Sequence, residues 1–208
     1  DERNAFINAA SELKISSPEI IYPRYSEINL SIWKKYEKGE VRQNEIGYLR
    51  FANLIEEYGF DLDPEKFNSV FREYLKMGGA KIKNAESVCS RLLEKGYYLC
   101  IVSNGDEEIQ TPRLSKSGLK RYMENCFTSE KIGFRKPDKA FFNAVFEFLG
   151  CSDPKQYLIV GDSLSSDILG GKNAGTDTCL FNRFKKENRT DIIPDYEITD
   201  LTELLGLL

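Results

Sequence analysis

Histidine is absent from the 208 residues. That absence excludes Ser-His-Asp and Cys-His nucleophilic catalysis, the usual His-bearing zinc sites and imidazole acid–base chemistry. Any reaction must run on carboxylates, lysine, hydroxyls or a bound metal. No apolar run approaches the roughly 20 residues that a membrane-spanning helix needs, and no secretory signal is visible, so no membrane partner is expected. No basic block or stripe stands out, and the net charge is -4. A nucleic-acid polymer is therefore not an expected partner. Cysteine is sparse and scattered: Cys89, Cys100, Cys126, Cys151 and Cys179 form no CxxC pair, and their number is odd. Reduced core cysteines in a cytoplasmic protein are expected, and a zinc site is not.

What is present falls into two halves. Up to about Met77 the periodicity is helical, with no convincing buried strand. "EIIYPRYSEINLSIWKKYEKGE" sets Ile28, Ile32 and Tyr36 four apart, with Trp33 alongside. "QNEIGYLRFANLIEEYG" aligns Ile46, Leu49, Leu54 and Tyr58 on one stripe. "DPEKFNSVFREYLKMGG" begins with Asp63-Pro64, a favourable helix start, and stops at Gly78-Gly79. After that pair, strands and helices alternate. A helical pattern from Asn84 to Lys95 leads into the strand "YYLCIVS". Then follow a helix from about Glu107 to Ser117, the short strand "CFTS", the loop "EKIGFRKPD" and a helix from Lys139 to Leu149. Next come the strand "YLIVG", a helix from Ser165 to Ala174, the strand "TCLF", and a tail with one more strand and helix. This alternation predicts an α/β fold with a parallel sheet. Residues 1–77 are expected to form a helical domain and 78–208 an α/β core.

In such sheets ligands bind beyond the carboxyl ends of the strands, where three polar stretches fall. Ser103, Asn104 and Gly105 follow "YYLCIV" directly. A hydroxyl and backbone N–H groups there can hold a phosphate oxygen, although Ser-Asn-Gly is also a natural turn. Lys136 precedes Pro137 and a helix; it is either a phosphate-binding point charge or a solvated loop lysine. Asp162 and Asp167 flank the loop after "YLIVG". They either cap the following helix or hold a hard divalent cation, most plausibly Mg²⁺, with phosphate oxygens and water.

As a set, in this order and spacing, these stretches resemble the haloacid dehalogenase (HAD) superfamily. Lys136 stands 33 residues after Ser103, and Asp162 stands 26 after Lys136. Ser103 matches the second motif of that family, Lys136 the third, and Asp162 with Asp167 the fourth. "SNGDEEIQTPRLSKSGL", "SEKIGFRKPDKAFF" and "VGDSLSSDILGGKNAGTDTCLFNR" are similar to the branch of the bacterial pyrimidine 5′-nucleotidases. "IWKKYEKGEV" and "LRFANL" resemble the helical cap of that branch. The resemblance implies a Rossmann-like parallel core with an inserted cap. It also implies a Mg²⁺-dependent phosphatase for small phosphate monoesters, such as nucleoside 5′-monophosphates, working through an aspartyl-phosphate. In that scheme Ser103, Lys136 and Asp167 are catalytic, Asp162 binds the metal, and Asn104 and Gly105 join Ser103 and Lys136 around the substrate. Trp33, Tyr36 and Arg50 are expected to be cap packing and a solvated arginine, with contact to a base or sugar as the alternative. A monomer or weak homodimer is expected. Two other readings stay open: a 2-haloacid dehalogenase-like hydrolase, which would not require Mg²⁺, and a non-catalytic domain that binds phosphometabolites.

The first motif of the family, Asp-x-Asp at the end of the first core strand, has no match here, and Asp1 follows no strand. A central strand is expected beside "YYLCIVS" and "YLIVG", because without it apolar strand edges would stand unpaired. The expectation is that the natural chain continues upstream by roughly 10–25 residues, with an apolar run that ends in Asp-x-Asp.

Overall fold

The computed structural model describes residues 1–208. The chain divides into two compact units: Asp1–Ala80 with Glu108–Ser117, and Lys81–Glu107 with Gly118–Leu208. None of its helices is long and apolar enough to cross a membrane.

The first unit is built on helices α1 (Glu2–Glu12), α2 (Pro18–Glu37), α3 (Gln43–Tyr58) and α4 (Pro64–Met77). On α2 the buried positions Ile21, Tyr25, Ile28, Ile32 and Tyr36 recur every three or four residues, which keeps one stripe apolar. Asp63 starts α4 by accepting the Glu65 N–H at 3.1 Å. The stripes meet in an aromatic core. Phe6 stacks on Tyr25 at 4.4 Å and Phe51 on Phe67 at 4.2 Å, and all four rings are fully buried. Offset stacks of this kind add to plain area burial.

A polar chain crosses the same unit. Arg50 is buried; it donates to Asn68 Oδ1 at 2.9 Å and to Asn29 Oδ1 at 3.4 Å, and its guanidinium lies 4.7 Å from the Phe71 ring centre. Asn29 in turn donates to the Glu2 carboxylate at 3.4 Å. Gly47 leaves room for this chain, because a Cβ there would stand 2.4 Å from Asn68 Nδ2. Burial raises the Glu2 pKa, against the opposing charges of Arg50 and Arg113.

The first unit runs unbroken to Ala80 and takes in a later segment, Glu108–Ser117. Most of the helix that follows the first strand of the core belongs with the first unit. Lys116 Nζ donates to the Lys76 carbonyl at 3.0 Å, Arg72 pairs with Glu108 at 2.8 Å, and Arg113 lies 3.6 Å from the Asp1 carboxylate. Charges on that helix, invisible to an apolar-periodicity reading, tie it there.

The second unit starts with α5 (Ala85–Glu94) and β1 (Cys100–Ser103). After α6 (Glu107–Lys116) come β2 (Asn125–Thr128), α7 (Ser129–Ile132), α8 (Lys139–Leu149), β3 (Leu158–Gly161), α9 (Leu169–Ala174), β4 (Asp177–Phe181), β5 (Tyr196–Ile198) and α10 (Leu204–Leu207). All strand pairs are parallel. β1 pairs with β2, with Ser103 opposite Thr128; separately, β3 pairs with β4 and β4 with β5. The sheet thus comes in two pieces, and the other edges of β1 and β3 carry no strand. One apolar cluster links the pieces: Phe141, Phe142, Val145 and Phe146 of α8 pack with Phe127 of β2, Ile159 of β3, and Cys100 and Val102 of β1. Asp200 closes the chain's end. Bonds from the Thr202 N–H, its hydroxyl and Asn84 pull its carboxyl down to about 2.

Two expectations follow. Phe67→Ala should destabilise the protein by about 3–5 kcal/mol in urea denaturation, since it empties a fully stacked site. Glu2 has its pKa raised above the ordinary 4.5. The stability linked to its protonated form is complete below about pH 4.5 and is lost as pH rises through the raised value. Glu2→Gln should therefore leave Tm unchanged at pH 4 and raise it at pH 8. Equal Tm shifts at both pH values would contradict this.

Candidate functional site

The three polar stretches converge within the second unit, at the carboxyl ends of β1 and β3. Lys136 is the centre. It reaches this position because the loop before α8 is fixed at both sides: Asp138 caps α8 through the Ala140 N–H at 2.8 Å, and Asn173 of α9 donates to the Pro137 carbonyl at 3.0 Å. The Lys136–Pro137 peptide is cis. Lys136 Nζ donates to Asp167 Oδ1 at 2.6 Å and to the Val102 carbonyl of β1 at 2.9 Å. The two charged side chains are only 7% and 11% exposed. An ammonium has three N–H bonds; two are used here, and one remains for an anion.

Asp167 is held as firmly as the lysine. Its Oδ2 accepts the Ser163 N–H at 3.1 Å. The turn that carries it, Leu164–Ile168, is π-helical, with the Ile168 N–H bonded to the Ser163 carbonyl at 3.1 Å. This corrects the expected helix from Ser165: the regular α-helix starts only at Leu169. Widened turns of this type cluster at functional sites, and here the extra residue turns Asp167 back beneath the strand end. Gly161 makes the room, since a Cβ there would stand 2.3 Å from Asp167 Cγ.

The remaining candidates have distinct surroundings. Ser103 Oγ accepts the Gly105 N–H at 3.0 Å, which leaves the hydroxyl hydrogen free to donate and occupies the Gly105 amide within the loop. Asn104 turns its side chain toward the main chain of Lys136, at 2.8 and 2.9 Å. Asp162 is exposed, and its carboxylate takes no hydrogen bond or ion pair. No group of three or more Asp, Glu, Cys or His side chains forms a metal cage. Asp1 lies in the other unit, where its carboxylate accepts the Ala80 N–H at 3.1 Å. Of the residues considered for a base or sugar, Arg50 is buried among α2, α3 and α4, and Trp33 meets Tyr36 edge-on at 5.8 Å. Sequence reading missed the contacts of Ser163 and Ser129. Their only signal is a small hydroxyl residue next to each motif.

Removing one member of a buried ion pair strands the other. Asp167→Ala should cost about 3–5 kcal/mol in denaturant unfolding. Adding Lys136→Met should recover part of that loss. A double variant less stable than Asp167→Ala alone would contradict a mutually dependent pair.

Comparison with known proteins agrees with the motifs. Residues 27–181 match the profile of the family described as haloacid dehalogenase-like hydrolase. The HAD-hydrolase YfnB of Bacillus subtilis is 40% identical over 89% of this chain and 78% of its own length. The pyrimidine 5′-nucleotidase PynA of Streptococcus pneumoniae is 33% identical over 88% of the chain and 78% of its own. A crystal structure of YfnB from Bacillus subtilis, bound to magnesium, superposes with a TM-score of 0.93 at 36% identity, covering 100% of this chain and 90% of that one. A profile match across most of the chain, relatives 40% and 33% identical over most of both lengths, and a common fold lead to one assignment: the chain belongs to the haloacid dehalogenase-like hydrolase family.

Proposed function

We propose that the protein is a Mg²⁺-dependent phosphatase that hydrolyses small phosphate monoesters, pyrimidine nucleoside 5′-monophosphates foremost, through an aspartyl-phosphate. The observation that carries this reading is the Lys136 ammonium, fixed between Val102 and Asp167 with one N–H uncommitted, at the strand ends that also carry Ser103 and Asp162. The substrate class is supported by the nucleotidases among the relatives: PynA, and the pyrimidine 5′-nucleotidase YjjG of Escherichia coli, 31% identical over 88% of this chain.

The donor set around Asp162 suits magnesium. A lone, exposed, unengaged carboxylate does not make an all-protein cage, but Mg²⁺ commonly takes one or two carboxylates and fills its remaining positions with water and substrate phosphate. When bound there, the ion would neutralise charge between phosphate and an attacking carboxylate. The chain's own residues do the rest. Lys136 offers its third N–H to a phosphate oxygen, and Asp167 keeps that ammonium oriented. Ser103 donates its hydroxyl hydrogen to a second oxygen. Such preset donors need no reorganisation as charge develops, and this is where most of the rate enhancement in phosphoryl transfer arises. The attacking carboxylate is assigned to the first family motif, which has no match here. A cytoplasmic location is part of the same reading and rests on five free cysteines.

A panel of phosphate monoesters tests the reading. Deoxypyrimidine 5′-monophosphates should head it in Mg²⁺ and fail in EDTA; a panel led by a sugar phosphate or phosphoglycolate would overturn the substrate assignment. Asp162→Asn should keep the Tm and lose Mg²⁺-dependent turnover. Lys136→Met should lower kcat/KM by about a hundredfold or more, whereas a solvated loop lysine would cost under threefold.

A further inference from the structure

Val102 and Asn104, two residues apart at the end of β1, hold the two ends of Lys136. The Val102 carbonyl takes its ammonium. The Asn104 side chain takes its backbone: Lys136 N–H donates to Asn104 Oδ1 at 2.8 Å, and Asn104 Nδ2 donates to the Lys136 carbonyl at 2.9 Å. The pattern is that of one rung in a β-ladder, supplied by a side chain. A carboxamide carries its donor and its acceptor side by side on separate atoms, as this pairing uses them; an ionised carboxylate can only accept and would satisfy one partner and not the other. The main-chain N–H and C=O of Lys136 also fix which way round the amide lies. Behind it, Ser129 Oγ donates to the Asn104 carbonyl at 3.1 Å, so the residue that grips Lys136 is itself tied to the start of α7.

We infer that Asn104 is the positioning residue for Lys136, and that its side chain does not bind the substrate. The inference rests on the phosphatase reading and adds a division of labour within the loop: Ser103 faces the phosphate and Asn104 faces the lysine. With its carboxamide oxygen and one amide hydrogen committed 32 residues along the chain, Asn104 has little capacity left for a leaving group. Lys136 sits where an error of about 1 Å costs on the order of a hundredfold in rate. Its main chain is anchored by this clasp, and its head by Val102 and Asp167.

The test is Asn104→Ala assayed on substrates with unrelated leaving groups: a pyrimidine nucleotide, a sugar phosphate and p-nitrophenyl phosphate. A positioning role predicts a fall in kcat of about 10- to 100-fold, the same for each substrate, with KM within about threefold. A loss that follows the leaving group, or that appears mainly in KM, would mean that Asn104 touches the substrate and would overturn the proposal; so would an unchanged kcat. If Asn104→Ala does not fold, Asn104→Asp serves. It preserves the shape and the bond from Lys136 N–H but sets a carboxylate oxygen against the Lys136 carbonyl. The same uniform fall is expected, and a wild-type kcat would refute the clasp. Wild-type enzyme without turnover on any monoester would instead overturn the phosphatase reading, a result distinct from active wild type with an unequal or absent loss.

Discussion

The ion pair between Lys136 and Asp167 sets the terms for everything around it. Taking two charges out of water costs several kcal/mol per ion, and the mutual attraction offsets this only when geometry is good and the remaining polar valences are filled. Here a carbonyl of β1 takes an ammonium N–H and an N–H of the turn after β3 meets the carboxylate, so one N–H of the ammonium stays open, and the missing side chain at Gly161 leaves room for the carboxylate. Each requirement constrains a different segment. β1 must end near Val102, β3 must end in glycine, the following turn must widen, and the loop before α8 must deliver its lysine inward. The unit's apolar cluster serves the same end, because α8 packs against strands of both sheet pieces and so fixes the separation of their ends.

The elements were legible where a single physical signal governs them. The helix at Lys139–Leu149 has an Asp cap, dense aromatics on one face and a glycine after it, and it forms between the residues expected. The strand expected over "YYLCIVS" keeps only Cys100–Ser103 as paired structure, since alternation marks an apolar stretch and the neighbouring strand decides how much of it pairs. The turn Leu164–Ile168 was misread as regular helix. Its widening answers to the Asp167 carboxylate, a tertiary demand that leaves local propensity unchanged. α7 was absorbed into a loop because its four residues carry no periodicity.

The candidate site shows the same division. Residue types and their order pointed to Ser103, Lys136, Asp162 and Asp167, because few other patterns bring a hydroxyl, a lysine and two carboxylates to strand ends. What each touches was not legible. The bonds of Asn104 to the Lys136 main chain join residues far apart in sequence, and a carboxamide after a strand looks the same whether it faces a ligand or a peptide group. Arg50 illustrates the opposite case. A solvated arginine is the first expectation from sequence and a ligand contact the second, yet Asn29, Asn68 and the Phe71 ring hold it buried inside the helical unit.

The closed pair has a consequence for the site's charge. Lys136 and Asp167 offset each other, while the Asp162 carboxylate carries its negative charge with no cationic partner. In the proposed reading, a phosphate dianion would meet repulsion from Asp162, with one ammonium hydrogen of Lys136 and the Ser103 hydroxyl in its favour. A divalent cation on Asp162 would, in the same reading, reverse the sign of that carboxylate's contribution. Cation and phosphate would then be thermodynamically linked partners, each raising the other's affinity by the same factor. On that reading, the pairing that offsets the lysine's charge would give the cation control over admission.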